Sequence, residues 1–229
     1  LGYSFRYDKR RSKHTVCETV VCDKPLPIRE RPIKKLVIGS DETVSVKTAG
    51  SFVDCGGYTI GQRMQDASLA YSASPIDVTL PSEQGIEFCA KEGSDGVYVI
   101  LDTGRENAGF FSIDIDVPDD CLIIAGWGEH LDDMRVRTYV GGRNFALSYY
   151  AVKGKNRFVH PFRRLGMRYL QLHIYSRNAK IYYAGIKTTD YPLDEEYVFE
   201  CADTVHNMIY ETSVRTLKMC MHEHYEDCP

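Results

Sequence analysis

The sequence lacks the features that define several large classes of protein. It has no unbroken apolar run of about 18 residues, the length that a membrane-spanning helix needs. It has no G-x-G-x-x-G motif, no Walker loop and no alternation of strands with helices, so a nucleotide-binding α/β fold is not expected. The net charge is -4 and no basic stripe is present, which argues against a nucleic-acid partner. The chain also begins without Met, and its first residues lack the apolar core of a secretory signal.

The eight cysteines form no recognisable metal or disulfide pattern. Cys17 and Cys22 are the only close pair away from the C-terminus, and their spacing matches no strong zinc motif. Others, such as Cys89 and Cys121, lie inside apolar runs, where cysteine behaves as a small buried hydrophobe. We therefore expect a reduced, cytoplasmic protein with no cofactor and no bound metal.

What the sequence does contain is a succession of short β-type runs separated by turn residues. Residues 111–117 alternate strictly between apolar and polar side chains, and Pro118 ends that run. Gly141-Gly142 lies between two further runs and predicts a hairpin. Residues 170–175 alternate in the same way. The pattern predicts a mainly β fold, an antiparallel β-sandwich of the jelly-roll or galactose-binding-like type, over residues 1–190, with an irregular segment at 1–32.

The pattern becomes helical after Tyr191-Pro192-Leu193. Asp194 is a plausible N-cap, and apolar residues then recur at helical spacing as far as Cys220. The sequence predicts a long C-terminal helix of about 25 residues, some 38 Å at the standard rise. That is more than a cap on a sandwich requires, so part of its apolar face is expected to meet partners outside this chain, either another domain or a second copy in a homodimer.

Several polar groups are candidates for a functional site. Residues 127–133 place the only Trp, Trp127, beside Glu129 and Asp133. An aromatic face with carboxylates suits a sugar, although a single Trp near a strand end is commonly core packing. Residues 102–107 form a similar polar turn that a hairpin tip would also explain. Arg163 and Arg164 are expected to pair with the acidic loop and to fix its structure.

The C-terminal residues carry the densest group of titratable side chains. His222 and His224 would diverge on a helix and converge only in an extended segment, so we expect no metal site there. Glu226 and Asp227 precede Cys228-Pro229. They read either as a polar turn that ends the helix or as a carboxylate that holds a substrate hydroxyl.

Five stretches together resemble a known family. They are LDTGRENAGFF (101–111), AGWGEHLDDMRVRTYVGGRNF (125–145), HPFRRLGMRYLQLHI (160–174), YYAGIKTTDYPL (182–193) and MCMHEHYEDCP (219–229). In this order they resemble the bacterial α-L-rhamnosidases of glycoside hydrolase family 78. The D-C-P element is the most specific, because in that family it opens the catalytic motif of an (α/α)₆ barrel. Residues 191–229 would then be a linker and the first helix of a truncated barrel.

The resemblance implies cleavage of terminal α-L-rhamnose with inversion by two carboxylates, which in inverting enzymes lie about 6.5–9.5 Å apart. In the family both catalytic groups follow the D-C-P element, so we expect no catalytic residue in this chain. Asp227 maps onto a carboxylate that hydrogen-bonds the bound rhamnose. The expected partners are a rhamnoside and the rest of the barrel. Two other possibilities are a stand-alone carbohydrate-binding β-sandwich module, with Trp127 in its site, and a structural domain whose parent has lost activity.

Overall fold

The computed structural model describes residues 5–11, 16–21, 23–24, 27–71, 76–193, 198–222 and 224–226. These residues form sixteen strands and two helices. The strands are β1 Arg6–Asp8, β2 Val37–Asp41, β3 Val44–Val53, β4 Ser68–Tyr71, β5 Thr79–Leu80, β6 Ile86–Cys89, β7 Gly96–Val117, β8 Cys121–Gly128, β9 Leu131–Asp132, β10 Arg135–Val136, β11 Tyr139–Val140, β12 Arg143–Asn144, β13 Ala146–Ala151, β14 Gly154–Val159, β15 Leu165–Ile174 and β16 Asn178–Asp190. The helices are α1 Ile60–Asp66 and α2 Thr204–Cys220.

The mainly β prediction is confirmed. Twelve of these strands form one large sheet whose main path runs β1-β13-β8-β15-β7-β16-β2. The sheet is mixed rather than purely antiparallel, because β1 pairs in parallel with β13. This strand lies in the segment that the sequence predicts to be irregular. Its Tyr7 hydroxyl is hydrogen-bonded to His160 Nδ1 at 2.8 Å, which helps to hold the segment against the sheet.

The 22-residue strand β7 connects two parts of the sheet. Its first part, from Gly96 to Asp102, pairs with β3 and β15, whereas its last part pairs with β14 and β16. In these two parts, the odd-numbered side chains from Val97 to Leu101 and from Phe111 to Val117 enter one continuous core that also receives residues of the neighbouring strands. The alternation predicted for 111–117 is confirmed, because Phe111, Ile113, Ile115 and Val117 are all buried.

The opposite face of the sheet is also covered. Phe52, Tyr98 and Ile100 form a second apolar cluster, and Met64 of α1 packs on Ile124 in a third. His173 of β15 is therefore fully buried, although its alternation with apolar residues is typical of a strand with one wet face. Burial lowers the pKa of His173 to about 3, so the imidazole is neutral.

The C-terminal helix differs from the prediction in its start and length. Asp194 lies outside the described residues, and residues 198–203 are not helical. The helix α2 has 17 residues, and Asp203 is its N-cap, because the side chain accepts a hydrogen bond from Val205 N. Neither described helix has the length and apolar character needed to cross a membrane.

The hairpin and cysteine predictions have mixed outcomes. Gly141 and Gly142 have φ of 56° and 78° and connect β11 to β12, as a two-residue hairpin turn requires. Six cysteines lie in the described part of the chain, and all six are free. Cys121 is buried as expected and Cys220 is also buried, but the expectation for Cys89 is wrong. On β6 it is Phe88 that faces the core, so its neighbour Cys89 faces outward.

Candidate functional site

A cavity of about 410 Å³ opens at the end of β8, where β15 begins. Its walls combine apolar side chains with four arginines and one carboxylate. The lining residues are Trp127, Gly128, Glu129, His130, Arg137, Val140, Arg143, Phe145, Arg163, Arg164, Leu165 and Gly166. We call this the Trp127 cavity. Its volume falls within the range of about 300–1,000 Å³ that is usual for small-molecule sites.

The segment between β8 and β13 forms one side of this cavity, and α1 holds it in place. Thr138 Oγ1 donates a hydrogen bond to Gly61 O at 2.6 Å, and Arg135 Nη1 donates to Gln65 O and Ala67 O at 2.9 and 2.6 Å. From the sheet side, the Gln171 side chain accepts a hydrogen bond from Val136 N at 3.0 Å. The buried Gln171 therefore helps to position this segment. The cavity wall is fixed from both sides.

Trp127 lies at the floor of the cavity and belongs to the main core. Its side chain is only 3% exposed. The Arg163 guanidinium carbon lies 5.4 Å from the centre of its ring, close enough for a cation–π contact. The indole therefore has no bare face on which a sugar could stack, which favours the core-packing reading of this residue.

Glu129 is an exposed cavity residue that interacts electrostatically with a second carboxylate, Glu106. Burial, followed by repulsion from Glu129, raises the pKa of Glu106 to about 7, while Arg215 and Arg168 oppose this rise. Glu106 belongs to the polar turn 102–107, which is a bulge in β7 where Met167 and Tyr169 of β15 face Asn107 and Asp102. A carboxyl whose pKa is raised to about 7 is a candidate for a functional site, and the sequence indicated Glu106 only as one member of the polar turn 102–107.

Asp133, the third candidate of the acidic loop, does not line the Trp127 cavity. It lies with Met134 at the two-residue turn between β9 and β10, and both residues have positive φ, at 49° and 56°. Asp tolerates this left-handed backbone better than most residues do. The structure thus brings Trp127 and Glu129 to one cavity and gives Asp133 a position in a hairpin turn.

Arg164 connects the Trp127 cavity to the C-terminal segment. Its Nε and Nη2 donate hydrogen bonds to Thr189 Oγ1 and Thr189 O at 2.6 and 3.0 Å. Its Nη1 lies 3.5 Å from Glu226 Oε2, and the other oxygen of Glu226 lies 2.8 Å from His222 Nε2. Arg164 was expected to pair with the acidic loop, but its acidic partner here is Glu226. Asp227, the residue assigned to substrate by resemblance, lies outside the described residues.

His222, His224 and Glu226 converge at the end of α2. The helix ends at Cys220, and an isolated bridge pairs Met221 with Tyr225, so the segment is no longer helical. The ligand atoms of the three residues lie within 4.8 Å of one another, and the two imidazole rings are 4.3 Å apart. Because the segment is not helical here, the side chains of His222 and His224 can point to the same side, which a helix would prevent. The expectation of no metal remains a prediction.

Four arginines are the feature of the cavity that sequence reasoning missed. Arg137 was interpreted only as a member of a strand run, Arg143 was not singled out, and Arg163 and Arg164 were interpreted only as structural partners. No local signal in the sequence groups them, because they come together only through the pairing of β13 and β15 with β8. Arg137 lies 3.8 Å from Asp132, and both side chains are well exposed, which makes this a weak ion pair.

The fold is similar to that of known rhamnosidases. The chain matches the GH78 family rhamnosidase of Bacillus sp. GL1 over 76% of its own length, with a TM-score of 0.65 and 26% identity. A rhamnosidase from Klebsiella oxytoca with rhamnose bound matches over 85% of this chain, with a TM-score of 0.53 and 15% identity, and shows the fold alone. The resemblance to family 78 α-L-rhamnosidases is therefore confirmed at the level of structure.

The match covers only part of each rhamnosidase. The chain spans 19% of the length of the Bacillus enzyme and 40% of the Klebsiella enzyme. No protein-family model matches the chain, and no curated protein matches it either. The comparisons support a relationship to glycoside hydrolases of the rhamnosidase type.

Proposed function

We propose that this chain is the N-terminal β-sandwich region, together with the first barrel helix, of an inverting α-L-rhamnosidase-like glycoside hydrolase. The observation that carries the proposal is the match of 76% of this chain to 19% of a GH78 rhamnosidase at 26% identity. In this proposal the general acid and the general base belong to the barrel, beyond the 229 residues. The chain alone is then inactive.

The exposed apolar face of the C-terminal region supports the assignment of α2 to a larger helical domain. Val205, Met208, Ile209 and Leu217 are all well exposed on this helix, and Phe199 precedes it. Only Met219 and Cys220, in its last turn, are buried. In the intact protein, neighbouring barrel helices would cover this face and remove the apolar surface from water.

Asp227 is proposed to hold a hydroxyl group of the terminal rhamnose. Its neighbour Glu226 contacts Arg164 and His222, so the chain up to Glu226 is held against the β-region formed by β1–β16, next to the Trp127 cavity. A charged hydrogen bond to a substrate contributes about 1.5–3 kcal/mol. In a protein extended through the barrel, Asp227→Asn should therefore lower kcat/KM by about 10- to 100-fold.

Hydrolysis of p-nitrophenyl α-L-rhamnoside tests the proposal. The 229-residue chain should release p-nitrophenol no faster than the buffer blank, and the protein extended through the barrel should release it at an enzymatic rate. The same assay with p-nitrophenyl β-D-glucoside is the control for sugar specificity. Rhamnoside hydrolysis by the 229-residue chain, or none by the extended protein, would contradict the assignment.

A further inference from the structure

The Trp127 cavity carries more positive charge than a neutral sugar requires. Four guanidinium groups line it, and Glu129 is the one carboxylate among the lining residues. Within the described residues, Arg164 is paired with Glu226, and Arg137 has only the long contact with Asp132. Arg143 is exposed and makes no ion pair in the described part of the chain. The rim therefore presents Arg137 and Arg143 to an incoming anion.

The geometry suits a carboxylate attached to an organic ring. Guanidinium groups bind carboxylates with two parallel hydrogen bonds, which lysine cannot reproduce. The remaining walls, Val140, Phe145 and Leu165, are apolar and fit the carbon face of a ring. Glu129 can accept hydroxyl hydrogen bonds. It also disfavours a phosphate group, because a dianion beside Glu129 meets more repulsion than a monoanion does.

We propose that the Trp127 cavity binds the carboxylate of an acidic sugar, a uronic acid residue, within the glycoside on which the parent enzyme acts. This rests on the proposed function for the class of ligand, a glycoside. The arginines that would hold the carboxylate, Arg137 and Arg143, belong to the chain described here.

Trp127 provides a direct readout of this binding. It is the only Trp in the chain, and it lies at the cavity floor in contact with Arg163. Titration of the 229-residue chain with D-glucuronate or D-galacturonate should change the Trp fluorescence in a saturable manner. D-Glucose and D-galactose, which differ from these probes mainly in the carboxylate, should bind at least tenfold more weakly. Raising the salt concentration should weaken the uronate binding.

Arg143→Gln should weaken uronate binding by about tenfold, the loss expected for one charge-assisted contact. The matched control is Arg177→Gln, which removes the same charge from an exposed turn between β15 and β16, at the far end of β15 from the cavity. It should leave the affinity unchanged. Because both side chains are exposed, neither change should impair folding.

Three results would overturn the inference: no uronate binding, equal affinity for uronates and neutral sugars, or inorganic phosphate binding as tightly as the uronates. Equal weakening by Arg143→Gln and Arg177→Gln would also overturn it, because the effect would then follow net charge alone. These outcomes are separate from the proposed function. A rhamnosidase whose β-region ignores uronates refutes only the cavity ligand, whereas uronate binding without rhamnosidase activity in the extended protein refutes only the enzyme.

Discussion

The β-region and the C-terminal helix α2 differ in how they are stabilised. In β7, five consecutive residues from Val97 to Leu101 are completely buried, because both faces of the sheet at this point are covered. In α2, burial is limited to the last turn, and an isolated helix of 17 residues is marginal in water. The comparison indicates that the sheet carries its own stability. The helix depends on a few polar contacts and on partners that the rest of a larger domain would supply.

Paired leucine truncations should give the largest contrast between the two regions. Leu172→Ala removes a completely buried side chain from the main core and should lower the free energy of unfolding by about 2–5 kcal/mol. Leu217→Ala removes a side chain of α2 that is 41% exposed and should cost less than about 1 kcal/mol. Urea denaturation of both variants measures the difference. Similar losses would mean that the helix is part of the same cooperative core.

Glu106 should make the boundary between the two regions sensitive to pH. Its pKa is raised to about 7 in the folded protein from the ordinary value of 4.5, so the folded state binds more protons than the unfolded state between these pH values. Stability contributed by the protonated group is therefore lost as the pH rises from about 4.5 to about 7. One pKa unit corresponds to about 1.4 kcal/mol, so the loss should be at most about 3.5 kcal/mol, and solvent screening of this half-buried group makes it smaller.

Glu106→Gln should remove this loss, and the variant should become more stable relative to the wild type at pH 8 than at pH 4. Urea denaturation at both pH values gives the comparison, and the difference from the wild type cancels the contributions of His160 and His173. Glu129→Gln is the partner control, because it removes only the repulsion and should reduce the loss in part. An unchanged pH profile in Glu106→Gln would show that this carboxyl titrates normally.

Arg215 should provide the main polar attachment of α2 to the sheet. Its Nη2 donates hydrogen bonds to Glu106 O and to Asn107 Oδ1, both at 2.6 Å. Arg215→Met should release the helix at a cost of about 1–2 kcal/mol in local stability. Hydrogen exchange should become faster in 204–220 and remain unchanged in β7. Arg177→Met, a change at an exposed site, is the control and should alter neither. Faster exchange throughout the sheet would contradict a local attachment.

Of the changes considered, the addition of zinc should have the smallest effect on the stability of the protein. Both carboxylate oxygens of Glu226 are engaged, one by His222 and the other by Arg164. A zinc ion would have to displace these contacts, so a modest molar excess of zinc should not change the thermal midpoint. Stabilisation by zinc that is lost in both His222→Ala and His224→Ala would contradict this expectation and establish a metal site.

Predictions from the sequence were most accurate where a local pattern, such as the apolar–polar alternation of a strand, determines a whole element. The alternation at 111–117 and the Gly141-Gly142 turn both reflect local chemistry, and both are confirmed. His173 could not be recognised as buried, because the ring that stacks on it at 4.4 Å is Phe52 of β3, which is distant in the sequence. The predicted start of α2 differs from the observed one because the local sequence offers two possible starts. An acidic run at 194–196 and an N-cap at Asp203 are both compatible with a helix start.

The candidate site shows the same limit of prediction from local sequence patterns. Trp127 and Glu129 are close in sequence and share a cavity, so local reasoning found them. Arg137 and Arg164 are brought together only by the pairing of β15 with β8, and no short-range pattern reports this pairing. The raised pKa of Glu106 could not be predicted from the sequence either. It depends on burial and on Glu129, which is 23 positions away in the chain.

Hydrogen exchange of α2, measured in the 229-residue chain and in the same protein extended through the barrel, tests the central claim most directly. We predict slow exchange in β7 and β15 in both proteins. Residues 204–220 should have only the weak protection that the Arg215 contacts provide in the shorter chain and should become strongly protected in the extended protein. Equal protection of this helix in both proteins would show that α2 completes the β-region by itself and would contradict its assignment to a larger helical domain.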